Sequence, residues 1–142
     1  MSQLIYIASS LDNGERVKQI NDILSKQGHT ITYDWTKHGR VTDTDQLVEI
    51  AKGEYEGVRD CDVFLMVHPA RLGSHFEFGA AYSLNKKIFI LEETEISELK
   101  SFYFLPGIEI YKTLDEILAV LNTTNYFPAK LLQINSSQNK EI

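Results

Sequence analysis

The segment RLGSHFEFGAAYSLN (71–85) carries one acidic residue, Glu77, among Phe76, Phe78, Gly79, Ala80 and Ala81. At about 100° per residue, its helical neighbours are Ala80, Ala81 and Leu84, a small apolar face, so the carboxylate points toward a sheet or a crevice. Ser74-x-x-Glu77 also fits a capping box, in which Glu77 reaches back to a backbone N–H. A second acid, Glu54, falls between Leu47, Ile50, Ala51, Tyr55 and Val58 on an apolar stripe. There it must be paired, hydrogen-bonded or protonated, since burying it bare is too unfavourable. The alternative is a partly exposed helix end with Glu54 paired to Arg59 or a nearby lysine. Two carboxyls in apolar surroundings can divide labour, one ionised and attacking, the other holding a proton and giving it away. Glu77 near a helix N-terminus is favoured as the anion; Glu54, deeper on its stripe, is favoured neutral. Such a pair suits substitution at a sugar carbon through a covalent intermediate.

Three loops offer groups to hold a substrate around these acids. YIASSLDNGER (6–16) reads as strand, turn and helix, and its Ser9, Ser10, Asn13 and Gly14 suit a phosphate or sugar. The bland alternative is an Asp12-x-x-Glu15 cap. YDWTKHGR (33–40) supplies Trp35, then His38 and Arg40, an aromatic that could stack a base and cations that could meet a phosphate. Trp35 is equally readable as a core or interface residue. Arg71, just before Gly73, is a candidate anion clamp or an exposed arginine, and Gly73 lets a ligand approach the backbone. His68 and His75 read as structural, and Cys61 as a small buried apolar group.

The elements that must position these residues alternate. LIYIA (4–8), TITYDW (30–35), DVFLMV (62–67), KIFIL (87–91) and IEIY (108–111) read as strands. Helical spacing marks 14–28, where Gly28 is the stop, then 44–60, a segment from near Gly73, and 113–122, which opens on the capping-box pattern Thr113-x-x-Glu116. Continuously apolar strands alternating with helices predict a parallel sheet covered on both faces. Ligands then bind beyond the strands' carboxyl ends, in loops 8–14, 35–43, 67–74 and 91–107. The predicted architecture is a flavodoxin- or Rossmann-like α/β three-layer sandwich on a five-stranded parallel sheet, one domain over 1–128 with a polar tail at 129–142.

The chain has 142 residues, 14 basic and 20 acidic, for a formal net charge of -6. No basic stripe suggests a nucleic-acid polymer as partner. One cysteine excludes an intrachain disulfide, and no Cys/His cluster has zinc spacing. The N-terminus lacks a signal-peptide pattern, and no apolar run approaches the roughly 20 residues of a membrane span. The expectation is a soluble cytoplasmic protein without metal or cofactor.

The residues from Tyr6 to about Leu91 resemble the nucleoside 2-deoxyribosyltransferases and the related deoxynucleoside monophosphate N-glycosidases. LGSHFEFGAA looks like the family's Gly-x-x-x-Glu-[apolar]-Gly segment, and the resemblance implies that Glu77 is the nucleophile at the anomeric carbon. IYIASS is similar to the opening strand, which implies that Tyr6 lies near that nucleophile. EYEGVRDCDVFLMV looks like the helix end and third strand, with Glu54 where the family has an aspartate that assists the leaving base. Six residues before the nucleophile, Arg71 stands where the transferases carry Asp and the monophosphate hydrolases Ser. A cation there implies a phosphorylated or otherwise anionic substrate. The resemblance also implies a homodimer or higher homo-oligomer whose neighbouring subunit completes the site, with SFYFLPG (101–107) the candidate contact. The expected function is cleavage or exchange of the base of a nucleoside or nucleoside 5′-monophosphate through a Glu77 glycosyl-enzyme. The rivals are a TIR-like NAD glycohydrolase, which also uses a glutamate on a parallel α/β fold, and a non-catalytic nucleotide-binding module.

Overall fold

A computed structural model describes residues 2–123 of the chain. The expected tail at 129–142, and the expected domain end at 128, lie outside the described residues. Five strands form one all-parallel sheet in the order β2-β1-β3-β4-β5. They are β1 (Leu4–Ala8), β2 (Thr30–Ile31), β3 (Val63–Val67), β4 (Lys87–Leu91) and β5 (Glu109–Tyr111). Four helices connect and close them: α1 (Gly14–Lys26), α2 (Thr44–Asp60), α3 (Leu72–Ser83) and α4 (Leu114–Thr123). The order reverses between β1 and β3. Right-handed crossovers therefore send α1 to one face and α2 and α3 to the other, leaving a crevice at the reversal.

The reason for burial is legible strand by strand. All five residues of β3 are buried, as are the last four of β1 and β4, because both faces are covered. One hydrophobic cluster joins them to Val17, Ile20, Leu24, Phe78, Ala81, Ile117 and Leu121 on the helices. Helix α1 ends as the sequence predicts. Gly28 takes φ 93°, and the N–H groups of His29 and Gly28 donate to Leu24 and Ser25 carbonyls at 3.1 and 3.0 Å, closing a Schellman motif. Thr113 and Glu116 exchange the hydrogen bonds of a capping box at the start of α4.

Two expectations are corrected. The second strand is two residues long, not the six of 30–35. Beyond it the chain turns away, and Trp35 donates its indole N–H to the Ile7 carbonyl at 2.7 Å. A side chain thus satisfies the β1 carbonyl that a longer neighbour strand would have paired. The stripe on α2 is not core either: Leu47, Val48 and Tyr55 are 43%, 51% and 46% exposed, and only Gly57 and Val58 are buried. The cause is length. A helix of 17 residues spans about 25 Å, a strand of five about 17 Å, so the N-terminal half of α2 overhangs the strands' carboxyl ends. Among the described residues, no helix is long and apolar enough to cross a membrane.

Candidate active site

A cavity of about 610 Å3 opens beneath that overhang, at the point where the strand order reverses. Its wall takes Ser9, Ser10 and Asp12 from the loop after β1, Trp35 and Arg40 from the segment after β2, Glu54 and Tyr55 from α2, and Arg71, Gly73, Phe76 and Glu77 from α3 and the residue before it. That size lies within the range of small-molecule sites, roughly 300–1,000 Å3.

Glu77 does not tie off its own helix. Helix α3 starts at Leu72, and its start is closed by Ser74, whose Oγ accepts the Arg71 N–H at 3.5 Å. Glu77 sits in the second turn and accepts a hydrogen bond from the Tyr6 hydroxyl at 2.5 Å. Tyr6 is on β1, fully buried, its ring stacked on Phe64 with centroids 5.9 Å apart. The closeness of strand and helices here depends on glycine. A Cβ on Gly57 would stand 2.8 and 2.9 Å from the Tyr33 and Tyr6 side chains, and one on Gly53 2.4 Å from the Tyr33 ring. The pair, four residues apart, forms a groove on α2 into which both tyrosines pack, and Glu54 is carried on the turn between them.

The electrostatics differ from the sequence expectation. Burial pushes Glu77 up to about 8; the Tyr6 hydrogen bond opposes the rise and the nearby Glu54 adds to it. The helix terminus does not hold Glu77 as an anion, because that effect fades beyond the first turn and burial outweighs it. Glu54, half-buried, is also raised by burial, against the charge of His38, which draws it down. It is not paired to Arg59, which bonds Asp60 at 3.0 Å. Tyr6 lies well above its ordinary range through burial and the adjoining Glu77, so it remains a hydroxyl donor. Two neighbouring carboxyls that both resist ionisation titrate as a pair.

The anion-binding expectations divide. Ser9 lines the cavity, but its hydroxyl donates to Val67 and Pro69 carbonyls at 2.7 and 3.1 Å and accepts from Asn13, so it fastens the β1 loop to the β3 loop. Ser10 Oγ accepts the Arg71 Nε–H at 3.1 Å and the Asp12 N–H at 3.4 Å. With both acceptor positions taken, its own proton remains to donate. Asp12 does not cap α1; that position falls to Asn13, which makes no side-chain cap bond. Gly73 borders open space, with nothing within 4 Å of where a Cβ would stand. Trp35 is 5% exposed and forms a wall, its N–H already committed to Ile7. His38 is not in the wall: its Nδ1 is 3.2 Å from the Gly39 carbonyl, and it acts on Glu54 through its charge. His75 is structural, with ring nitrogens 2.7 Å from the Arg71 carbonyl and from the Tyr103 hydroxyl. Cys61 is buried and its thiol pushed up to about 12 by burial.

Sequence reasoning missed Tyr55, Phe76 and Asp12 as lining residues, and Tyr33 as the packing partner of α2. The one available signal was the Gly53-x-x-x-Gly57 spacing, which marks a helix face open to close approach. Of SFYFLPG, Tyr103 is core, while Phe104 is 63% exposed. No group of three or more His, Cys, Asp and Glu gathers at metal-holding distance among the described residues.

Comparison with known proteins returns the same segment. The family model for nucleoside 2-deoxyribosyltransferase matches residues 5–102, which take in the motifs that carry the resemblance. No curated protein sequence matches the chain. Among solved structures, the CMP N-glycosidase BcmB of Clostridium botulinum is similar with a TM-score of 0.53 and 19% identity, over 82% of this chain and 98% of that one. At that identity the likeness is one of fold.

Proposed function

Because the chain belongs to the nucleoside 2-deoxyribosyltransferase family, we propose that it cleaves or exchanges the base of a nucleoside or nucleoside 5′-monophosphate through a glycosyl-enzyme on Glu77. Family membership supports the general kind of chemistry, glycosyl transfer at a small nucleoside or nucleotide. The observation that carries the finer reading is the Glu77 carboxyl in the cavity wall, bonded to Tyr6 at 2.5 Å instead of to its own helix.

The first step forms a bond between a Glu77 oxygen and C1′ and breaks the C1′–N bond. The electron pair leaves with the base nitrogen, and the Glu54 carboxyl gives that base its proton. In the second step Glu54, now a carboxylate, takes a proton from water, or from an incoming base for exchange. The nucleophile so formed attacks C1′ and releases Glu77. The productive pair is Glu77 ionised and Glu54 protonated. Burial works against the ionised Glu77 that this pair requires. The positive charge that grows at C1′ favours it in the transition state.

Arg71 and Arg40 in the wall, with the free Ser10 proton, favour a substrate bearing a 5′-phosphate. Phe76 and Leu72, 69% and 87% exposed beside the cavity, and Phe104 at 63%, favour a homo-oligomer that covers them. Light scattering coupled to size exclusion reads that state. The function is tested by incubating the protein with nucleosides, their 5′-monophosphates and NAD, with and without a free base, and separating the products. Release of base from a nucleoside or nucleotide by wild type and its loss in Glu77→Ala is the expected result. Equal release by Glu77→Ala removes the nucleophile assignment; nicotinamide release from NAD alone supports the TIR-like alternative, and nucleotide binding without turnover a non-catalytic module.

A further inference from the structure

The cavity wall contains a carboxylate as well as cations. Asp12 lines it, as do Arg40 and Arg71. Arg71 Nη2 lies 3.4 Å from Asp12 Oδ2, with the two side chains 72% and 64% exposed. The Arg71 Nε–H and the Asp12 N–H meet on the same Ser10 oxygen, at 3.1 and 3.4 Å. Asp12, Ser10 and Arg71 thus form a closed triangle across the loops after β1 and β3. A substrate anion that takes the Nε–Nη2 edge of Arg71 meets this triangle.

We propose that Asp12 is a specificity-determining residue that occupies Arg71 in the empty cavity and is displaced from it by the phosphate of a nucleotide. The inference rests on the nucleotide reading above and adds a competitor to it. The Asp12 carboxylate brings one negative charge against the phosphate's roughly −1.5 to −2 at neutral pH. A phosphate monoester therefore wins the guanidinium, whereas a group with a single charge meets an equal rival. A neutral nucleoside leaves the pair intact and gains nothing from Arg71. Exposure on both sides keeps the pair weak enough to be opened at each binding event.

The test compares wild type, Asp12→Asn, Arg71→Gln and the double variant. The quantity read is the ratio of kcat/KM for a nucleoside 5′-monophosphate to that for the nucleoside of the same base. Asp12→Asn is expected to raise this ratio by about fivefold, the upper range for an exposed ion pair, and Arg71→Gln to lower it. In the Arg71→Gln background, Asp12→Asn is expected to leave the ratio where Arg71→Gln put it. An unchanged ratio in Asp12→Asn overturns the proposal. So does an equal rise in both backgrounds, which makes Asp12 a general repulsive charge and not a competitor for Arg71. Should none of the chains release a base, the proposed function fails separately. The dissociation constant of the 5′-monophosphate, measured by calorimetry on the same four chains, then decides the role of Asp12 by the same pattern, and absence of binding to all four overturns it.

Discussion

Replacing Tyr6 by Phe removes one oxygen and leaves the ring on Phe64, so its effect isolates the hydrogen bond to Glu77. That bond stabilises the ionised carboxyl; without it, Glu77 rises further above its value of about 8. Hydrogen bonds to charged groups contribute about 1.5–3 kcal/mol, or about one to two pH units at 1.36 kcal/mol per unit. The consequence depends on which acid holds the shared proton. With burial the largest influence on Glu77, the expectation is that the shared proton rests mainly on Glu77, so that the productive arrangement is the minor one. Raising Glu77 makes that arrangement rarer by the same factor, about 10- to 100-fold. It also moves the second deprotonation of the pair alkaline by one to two units. The first deprotonation, mainly of Glu54, stays in place. In a pH profile of kcat/KM, with a substrate that does not titrate in the range, Tyr6→Phe is expected to lower the plateau about 10- to 100-fold. The alkaline limb moves up and the acid limb does not move. An acid limb that moves up under an unchanged plateau refutes the reasoning, since Glu77 is then the more acidic partner. A profile identical to wild type refutes the coupling itself.

Other outcomes follow from the same geometry. Glu54→Gln removes the proton donor and is expected to slow base release about 10²- to 10⁴-fold; a substrate whose leaving group needs no proton recovers most of that loss. Glu77 binds its proton more tightly folded than unfolded. Its contribution to stability is therefore full below the unfolded value near 4.5 and lost as pH rises through about 8. Glu77→Gln, which mimics the neutral form, is expected to match wild type in chemical denaturation near pH 4.5 and exceed it by a few kcal/mol at pH 9; an advantage that shrinks with rising pH contradicts this. Gly57→Ala forces Tyr6 and Tyr33 to move and is expected to lower stability by about 1–3 kcal/mol together with kcat. Gly73→Ala meets open space, so its melting temperature is expected to hold or rise with helix propensity, and its KM to increase where the new methyl enters the cavity.

The sheet and its order of elements were legible because continuous apolar runs such as VFLMV have few ways to be buried. The length of β2 was not. Its apolar pattern continues through Tyr33 and Trp35, and only the fold reveals that one packs on glycines of α2 and the other bonds a β1 carbonyl. Glu77 stood out as a lone charge on an apolar segment, and the segment proved to be a cavity wall. Its expected ionisation differs because local spacing does not show how deeply burial acts on the carboxyl, which outweighs the helix terminus. Glu54 was noticed for a stripe that turned out to face a hollow, not the core. Periodicity identifies the side of a helix and is silent about what stands opposite. In sequence Asp12 reads as a helix cap and not as an ion-pair partner because Arg71 lies 59 residues away in the chain, and a long-range ion pair leaves no trace in local spacing.

The projecting half of α2 rests on no sheet. Residues such as Leu47, Val48 and Ala51 are exposed there, so exchanging them is expected to cost folding little, yet Ala51 borders the cavity. Tolerance and anchorage thereby fall at separate ends of one rod. The turns anchored through Gly53 and Gly57 hold Glu54 in register, and the free turns are open to revision without disturbing that anchorage.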